Sequence, residues 1–385
     1  MKIIEKENLF VAGTYKRFPI EIAGGKGSIA YDTDGKEYID LASGIAVNTF
    51  GYADDEWTKA VTEQLTKLQH TSNLYYTEPC VRLAELLCEK TGMKKVFFSN
   101  SGAEANECAI KAARKYAENK GIGTTILTLV NSFHGRTLTT LAATGQDTFH
   151  KDFLPLTEGF IHVPANDEKA LENAFEAHHP CAIMFEVVQG EGGVNPLEKS
   201  FVSKIAELCE KNDALMLVDE VQVGNGRSGK LYGYMHYGIE PDVVTTAKGL
   251  GGGLPIGATM LGEKVRDIFT YGSHGSTFGG NPVCSAGAVN IISRLDDEML
   301  SGVCERATII RKTLEGAEGI ESVSGLGLMI GLKTVKPAAE IVNECIARGV
   351  LVITAKDKVR LLPPLNIPVN TLKEALAVIV DVCRA

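Results

Sequence analysis

An apolar run, Val243-Val244-Thr245-Thr246-Ala247, ends in Lys248 and is followed by glycines at 249, 251, 252 and 253. A strand that stops at a lysine inside a Gly-rich turn leaves the amine outside any helix and open to a ligand. Burial beside a bound group disfavours the ammonium form and frees the amine for nucleophilic attack. A second apolar run, Leu215-Met216-Leu217-Val218, ends in Asp219 and Glu220. A carboxylate there is costly unless it meets a cation. One strand–helix–strand unit separates Asp219 from Lys248, so both can reach the same sheet edge. A third piece, Val96 to Glu107, reads as strand, tight turn and helix. Ser101 and Glu104 stand at capping-box spacing. The small residues Gly102 and Ala103 let an anion approach the free N–H groups of the first helical turn, where the helix dipole adds favourable charge.

Each piece has an ordinary structural explanation: a capped helix, a salt-bridged aspartate, a surface lysine. Together they supply an amine for an aldehyde, a carboxylate for a pyridine nitrogen and a cradle for a phosphate. Those are the three anchors of pyridoxal 5'-phosphate (PLP). An aspartate facing the ring nitrogen keeps it protonated, so the ring can accept electrons. Further segments supply other groups. Ser132-Phe133-His134-Gly135-Arg136 offers an aromatic ring face and a cation for a carboxylate. Gln189-Gly190-Glu191-Gly192-Gly193 places an acid on a flexible loop, and His274 to Asn281 combines hydroxyls with glycines. Arg360 lies in an otherwise apolar strand, where a cation wants a carboxylate partner.

The elements that must position these residues follow from periodicity. Short apolar runs alternate with helical patterns through the middle of the chain, the mark of a parallel α/β sheet. Strands are expected at Lys95–Ser99, Thr125–Val130, Ala182–Val187, Leu215–Asp219 and Val243–Ala247. Helices are expected at Ala103–Tyr116, Glu168–Ala177 and Lys199–Lys211. Ligands of open α/β sheets bind at the C-terminal strand ends, where the candidate residues fall. Beyond residue 280 the pattern changes. A helical stretch runs from Asn281 to Leu295 and on to about Glu315, followed by strands near Val323–Lys333 and Val350–Leu362. A helix at Pro337–Arg348 lies between those strands, and another at Leu372–Val382 closes the chain. The first 45 residues hold a hairpin with Asp34-Gly35 at its turn that packs with this part. The expectation is a large domain over 46–280 and a smaller α+β domain formed by 1–45 and 281–385.

The chain has 385 residues, enough for two domains, and a net charge of −9,. That charge argues against nucleic acid or an anionic membrane as partner. No apolar run approaches the ~20 residues that cross a bilayer, and Met1 to Phe10 lacks the features of a targeting signal. Nine scattered cysteines, never in a C-x-x-C pair, read as reduced thiols of a cytoplasmic protein,. The eight histidines show no metal spacing, His178-His179 included,. A nicotinamide oxidoreductase would need a glycine fingerprint in the first strand–helix turn, which Ser101–Glu104 lacks. Gly325-Leu326-Gly327 with Gly331 opens no helix followed by an acid at the required distance.

The order of these motifs resembles the class III (subgroup II) aminotransferases over nearly the whole chain. The likeness rests on Asn100–Glu107, Ser132–Arg136, Gln189–Gly193, Asp219–Gln222, Gly224–Gly229, Ala247–Ala258, His274–Asn281 and Arg360–Leu365. It implies the fold-type I architecture of PLP-dependent transferases: a mostly parallel seven-stranded sheet in the large domain and a smaller α+β domain. It implies a Schiff base on Lys248, which then shuttles the proton, with Asp219 at the ring nitrogen and Gln222 near the ring hydroxyl. Ser101, Gly102 and Ala103 would hold the phosphate and Phe133 would stack on the ring. Ser276 and Thr277 would serve the neighbouring active site of a homodimer. Arg136 would take the substrate carboxylate distant from the reacting carbon. Arg360 would take the α-carboxylate of glutamate, with Glu191 as its substitute partner. The substrates implied are small: an amino acid and a 2-oxo acid. The reaction implied is transfer of the terminal amine of N2-acetyl-L-ornithine to 2-oxoglutarate, in arginine biosynthesis. Ornithine, succinylornithine, succinyldiaminopimelate, acetyl-lysine and 4-aminobutyrate are rival donors. Ornithine-directed members carry a tyrosine where Gly44 stands. Val187, Asn225 and Ser228 depart from the family pattern and are expected to touch no anchor.

Overall fold

The structure, a computed structural model, describes residues 3–384. Its central sheet has seven strands in the order Lys95–Ser99, Gly257–Leu261, Val243–Thr246, Leu215–Asp219, Ala182–Phe185, Ile126–Leu129, Phe160–Val163. Only Gly257–Leu261 runs against its neighbours. The other pairings are parallel. Five of these strands are buried along their whole length, as a mostly parallel sheet covered on both faces requires. Alternate side chains feed two cores. Met184 and Leu217 pack with the alanine-rich face of helix Gly102–Lys120. Ile183, Phe185, Met216 and Val218 pack with the apolar stripes of helices Glu168–His178 and Lys199–Asn212.

The five strands read from the sequence are present, two of them residue for residue. Phe160–Val163 and Gly257–Leu261 escaped that reading. The first is half-exposed, and the second opens on a glycine after a Gly-rich turn. The helical stretch expected to run unbroken from Asn281 to Glu315 is two helices, Pro282–Ser293 and Asp297–Leu314. The carboxylate of Asp296 accepts from the Met299 N–H and starts the second helix anew,.

The C-terminal part holds an antiparallel sheet ordered Ile320–Leu326, Met329–Thr334, Lys358–Leu361, Ile353–Ala355. Gly327 lies in the two-residue turn of its first hairpin and Gly325 in the strand just before it, both with positive φ. Near the N-terminus, Ile22–Lys26, Ile29–Asp32 and Glu37–Asp40 make an antiparallel meander. Its turn uses Gly35 at φ 81°. The last of these strands pairs in parallel with Val350–Leu351, so the two ends of the chain share one sheet. This arrangement brings Arg360, opposite Gly331 and Ile353 in its sheet, toward the edge of the large sheet.

Candidate active site

The strands Lys95–Ser99, Leu215–Asp219 and Val243–Thr246 deliver Ser101, Asp219 and Lys248 to one edge of the sheet, around a cavity of about 450 Å³. Gly102, Ala103, Phe133, Arg136 and Gln222 line the same cavity. Eight residues singled out in the sequence therefore meet in one place.

At the helix start, the Ser101 hydroxyl accepts from the Glu104 N–H at 3.2 Å. The Glu104 carboxylate reaches back to the Asn100 N–H at 2.6 Å, one residue before the position a regular capping box would use. The N–H groups of Ser101, Gly102 and Ala103 consequently keep no acceptor among the described residues. A Cβ on Gly102 would lie 2.7 Å from a methyl of Val221. Gly102 thus keeps the first turn open beside that side chain.

Asp219 is buried in a network. Its Oδ2 accepts from Asn106 Nδ2 at 2.7 Å and lies 2.8 Å from His134 Nδ1. Its Oδ1 accepts from the Val221 N–H at 3.0 Å. Asn106 is oriented in turn by the Thr245 hydroxyl and the His134 carbonyl. His134 Nε2 is buried with no hydrogen-bond partner among the described residues. Glu186, also in the cavity wall, accepts from the N–H groups of Phe133 and Gly190. Burial pushes its carboxyl up to about 7, with the Asp219 charge adding to the rise against the His134 ring,. Asn106, His134 and Glu186 were not assigned roles from sequence. Glu186 ends an apolar strand as Asp219 does, and that shared pattern was the available signal. For Asn106 the signal was a single amide on the buried alanine face of its helix,.

Lys248 adopts φ 45°, in the left-handed region. Burial lowers the pKa of its amine; Glu191 opposes this, and Arg360 reinforces it. Arg360 is buried, and its Nη1 donates to Glu191 Oε1 at 2.7 Å and to Gln222 Oε1 at 2.9 Å. Gln222 Nε2 closes the triangle on Glu191 at 3.2 Å. Gly190 carries no side chain where the Gln222 amide passes. Burial alone would raise the Glu191 carboxyl, but the Arg360 guanidinium outweighs it and holds the group below its usual range. Arg136 differs. It is exposed, its guanidinium lies over the Phe149 ring at 4.0 Å, and it has no anionic partner among the described residues. Phe149 in turn meets Phe133 edge-on at 5.8 Å.

Ser276 and Thr277 do not line the cavity. Ser276 Oγ accepts from the Gly279 N–H and lies 3.3 Å from Asn100 Nδ2, and Thr277 is exposed. Before the cavity wall reaches Val47, Ser43 to Ala46 form a left-handed turn with φ between 49° and 65°. The Asp40 carboxylate holds its start by accepting from the N–H groups of Ala42 and Ser43.

A family model described as aminotransferase class-III matches residues 10–383. The chain belongs to the class-III aminotransferases. Among relatives of this aminotransferase is the acetylornithine aminotransferase of Haemophilus ducreyi, 48% identical over 97% of the chain and 96% of that protein. The succinylornithine transaminase of Citrobacter koseri is 44% identical over 94% and 93%. Among solved structures, the ornithine aminotransferase of Toxoplasma gondii, described with PLP at partial occupancy, superposes with a TM-score of 0.93. It is 30% identical and covers 99% of this chain and 93% of its own.

Proposed function

We propose that this aminotransferase is an acetylornithine aminotransferase of the cytoplasm, acting in arginine biosynthesis. It moves the terminal amine of N2-acetyl-L-ornithine to 2-oxoglutarate and yields N-acetyl-L-glutamate 5-semialdehyde and L-glutamate. The observation that carries the substrate reading is the contrast between the two arginines. Arg360 is already neutralised by Glu191, while Arg136 has no anionic partner among the described residues. A donor reacting at its terminal amine brings one carboxylate, and one unpaired guanidinium is offered to it. Glutamate brings a second carboxylate at the reacting carbon, which would displace Glu191 from Arg360.

Pyridoxal 5'-phosphate suits the walls of the cavity. The unaccepted N–H groups of Ser101, Gly102 and Ala103 would hold its phosphate,. Phe133 would stack against its ring, Gln222 would stand near its hydroxyl, and Lys248 Nζ would hold its aldehyde carbon. Bound there, the cofactor supplies an electron sink for the carbon that bears the amine. Asp219, fixed by Asn106 and His134, would keep the proton on the ring nitrogen. Lys248 Nζ, once freed by the incoming amine, would carry the proton between the two carbons of the exchange. Its lowered pKa favours the neutral form that this requires,.

The exposed Thr277 and its neighbour Ser276 would serve the adjacent site of a homodimer. Residues 46–280 would form the cofactor domain, with 1–45 and 281–385 as the smaller one. The Citrobacter koseri relative favours a second reading, succinylornithine as donor, which differs only in the acyl group.

The test is the absorption spectrum of the purified protein before and after borohydride, followed by peptide mapping. The label is expected on Lys248, and Lys248→Ala is expected to bind PLP through its phosphate without turnover. Labelling of another lysine, or near-native turnover by the variant, would defeat the assignment.

A further inference from the structure

Asn225 sits in the Gly-rich stretch expected to touch no anchor, and its bonds go to the two residues just before Lys248 rather than to Lys248 itself. Its side chain is buried, and Nδ2 donates to the Ala247 carbonyl at 3.1 Å and to Thr246 Oγ1 at 2.9 Å. The Thr246 hydroxyl answers to Asn225 Oδ1 at 3.3 Å. The backbone of Asn225 has φ 55°, a conformation asparagine tolerates better than most residues. We propose that Asn225 is a positioning residue for the Lys248 amine, acting through the Ala247 carbonyl.

That carbonyl belongs to the peptide whose nitrogen is Lys248 N. Holding it sets the plane from which the lysine departs, and Lys248 departs at φ 45°, where a long side chain is rarely found,. Two other side chains grip the same turn. The Thr49 hydroxyl donates to the Gly249 carbonyl at 2.7 Å and Trp57 Nε1 to the Gly251 carbonyl at 3.1 Å. Both act after the lysine, whereas Asn225 acts before it. The residues 219, 222 and 225 are thus spaced along one loop with three targets. Asp219 meets Asn106 and His134, Gln222 meets Arg360 and Glu191, and Asn225 meets the lysine turn. An aspartate at 225 would keep the shape yet lose the donor, placing a carboxylate against a carbonyl oxygen.

This inference rests on reading Lys248 as the amine that holds the cofactor. Its test uses the full chain stripped of cofactor and two probes. Pyridoxal 5'-phosphate can bond to the lysine, and pyridoxamine 5'-phosphate cannot. Covalent capture of the first is timed by borohydride trapping on Lys248, and the affinity for the second is measured at equilibrium. For Asn225→Asp and Asn225→Ala, capture is expected to slow at least about tenfold while pyridoxamine 5'-phosphate affinity stays within about twofold. Thr246→Val, which removes the hydroxyl that orients the amide, is expected to slow capture less but without loss of affinity. It decides the matter if the Asn225 variants do not fold. Capture at the wild-type rate, or an equal loss with both probes, would overturn the proposal. Trapping of the wild type on a different lysine would instead overturn the reading of Lys248, and the proposal with it.

Discussion

The surroundings of Asp219 and of Arg136 are opposite solutions to holding a charge in the same cavity. Asp219 is buried and takes three hydrogen bonds, from Asn106, His134 and the Val221 N–H, with a further layer behind them. Arg136 is exposed and rests on Phe149 with no anionic partner among the described residues. Between them the Arg360–Glu191 pair is buried on one side and half-buried on the other. On the roles proposed above, the group that serves every turnover in one way is locked by its neighbours. The groups proposed to meet two differently shaped substrates are left free or given a partner that can be exchanged. A buried guanidinium stripped of its carboxylate costs about 3–5 kcal/mol, so on the proposed roles Glu191 is expected to matter most when the substrate brings no second carboxylate.

The comparison can be broken first at its rigid end. Asp219→Asn keeps the shape and removes the charge. The expected loss in turnover is at least ~10²-fold, equivalent to about 2.7 kcal/mol, and a variant within a few-fold of wild type would make Asp219 structural. The exchangeable end is sharpened by Glu191→Gln, with each half-reaction followed under single turnover. The acetylornithine half is expected to slow by about tenfold or more, and the glutamate half to hold or gain. Equal losses in both halves would show that Glu191 supports the site generally.

The smallest effect concerns Glu186. Its carboxyl titrates higher folded than unfolded, so its contribution to stability is present at low pH and fades as pH rises through about 7,. The stability of Glu186→Gln relative to wild type should therefore improve between about pH 5.5 and about pH 8.5. A difference flat across that range would mean that Glu186 is already ionised throughout.

The residues proposed as covalent and ionic anchors were legible in the sequence because each lies where a strand ends. A lysine, an aspartate or a capped helix at such a point is a local signal. Their convergence followed from the parallel sheet, whose strands Leu215–Asp219 and Val243–Thr246 are neighbours. The support behind them was not legible. Asn106 reaches Asp219, and Asn225 reaches Ala247, through contacts that only the folded chain creates. Phe160–Val163 was missed for a related reason: a half-exposed edge strand lacks the continuous apolar run that marks its neighbours. The break at Asp296 was missed because a strong helical pattern on both sides hid a cap in the middle.

The central claim about substrate rests on space as well as charge. Gly44 has φ 62°, and a Cβ there would meet only Asn48 Nδ2 at 3.6 Å and Val47 Cβ at 3.8 Å. On the proposed reading, the absence of a side chain at 44, three residues before Val47 of the cavity wall, leaves room for an acylated α-amine. The most direct test is kcat/KM for N2-acetyl-L-ornithine against free ornithine, each with 2-oxoglutarate. A preference for the acetylated donor of about 10²-fold or more is expected, equivalent to about 2.7 kcal/mol. Comparable values for the two donors would contradict the account.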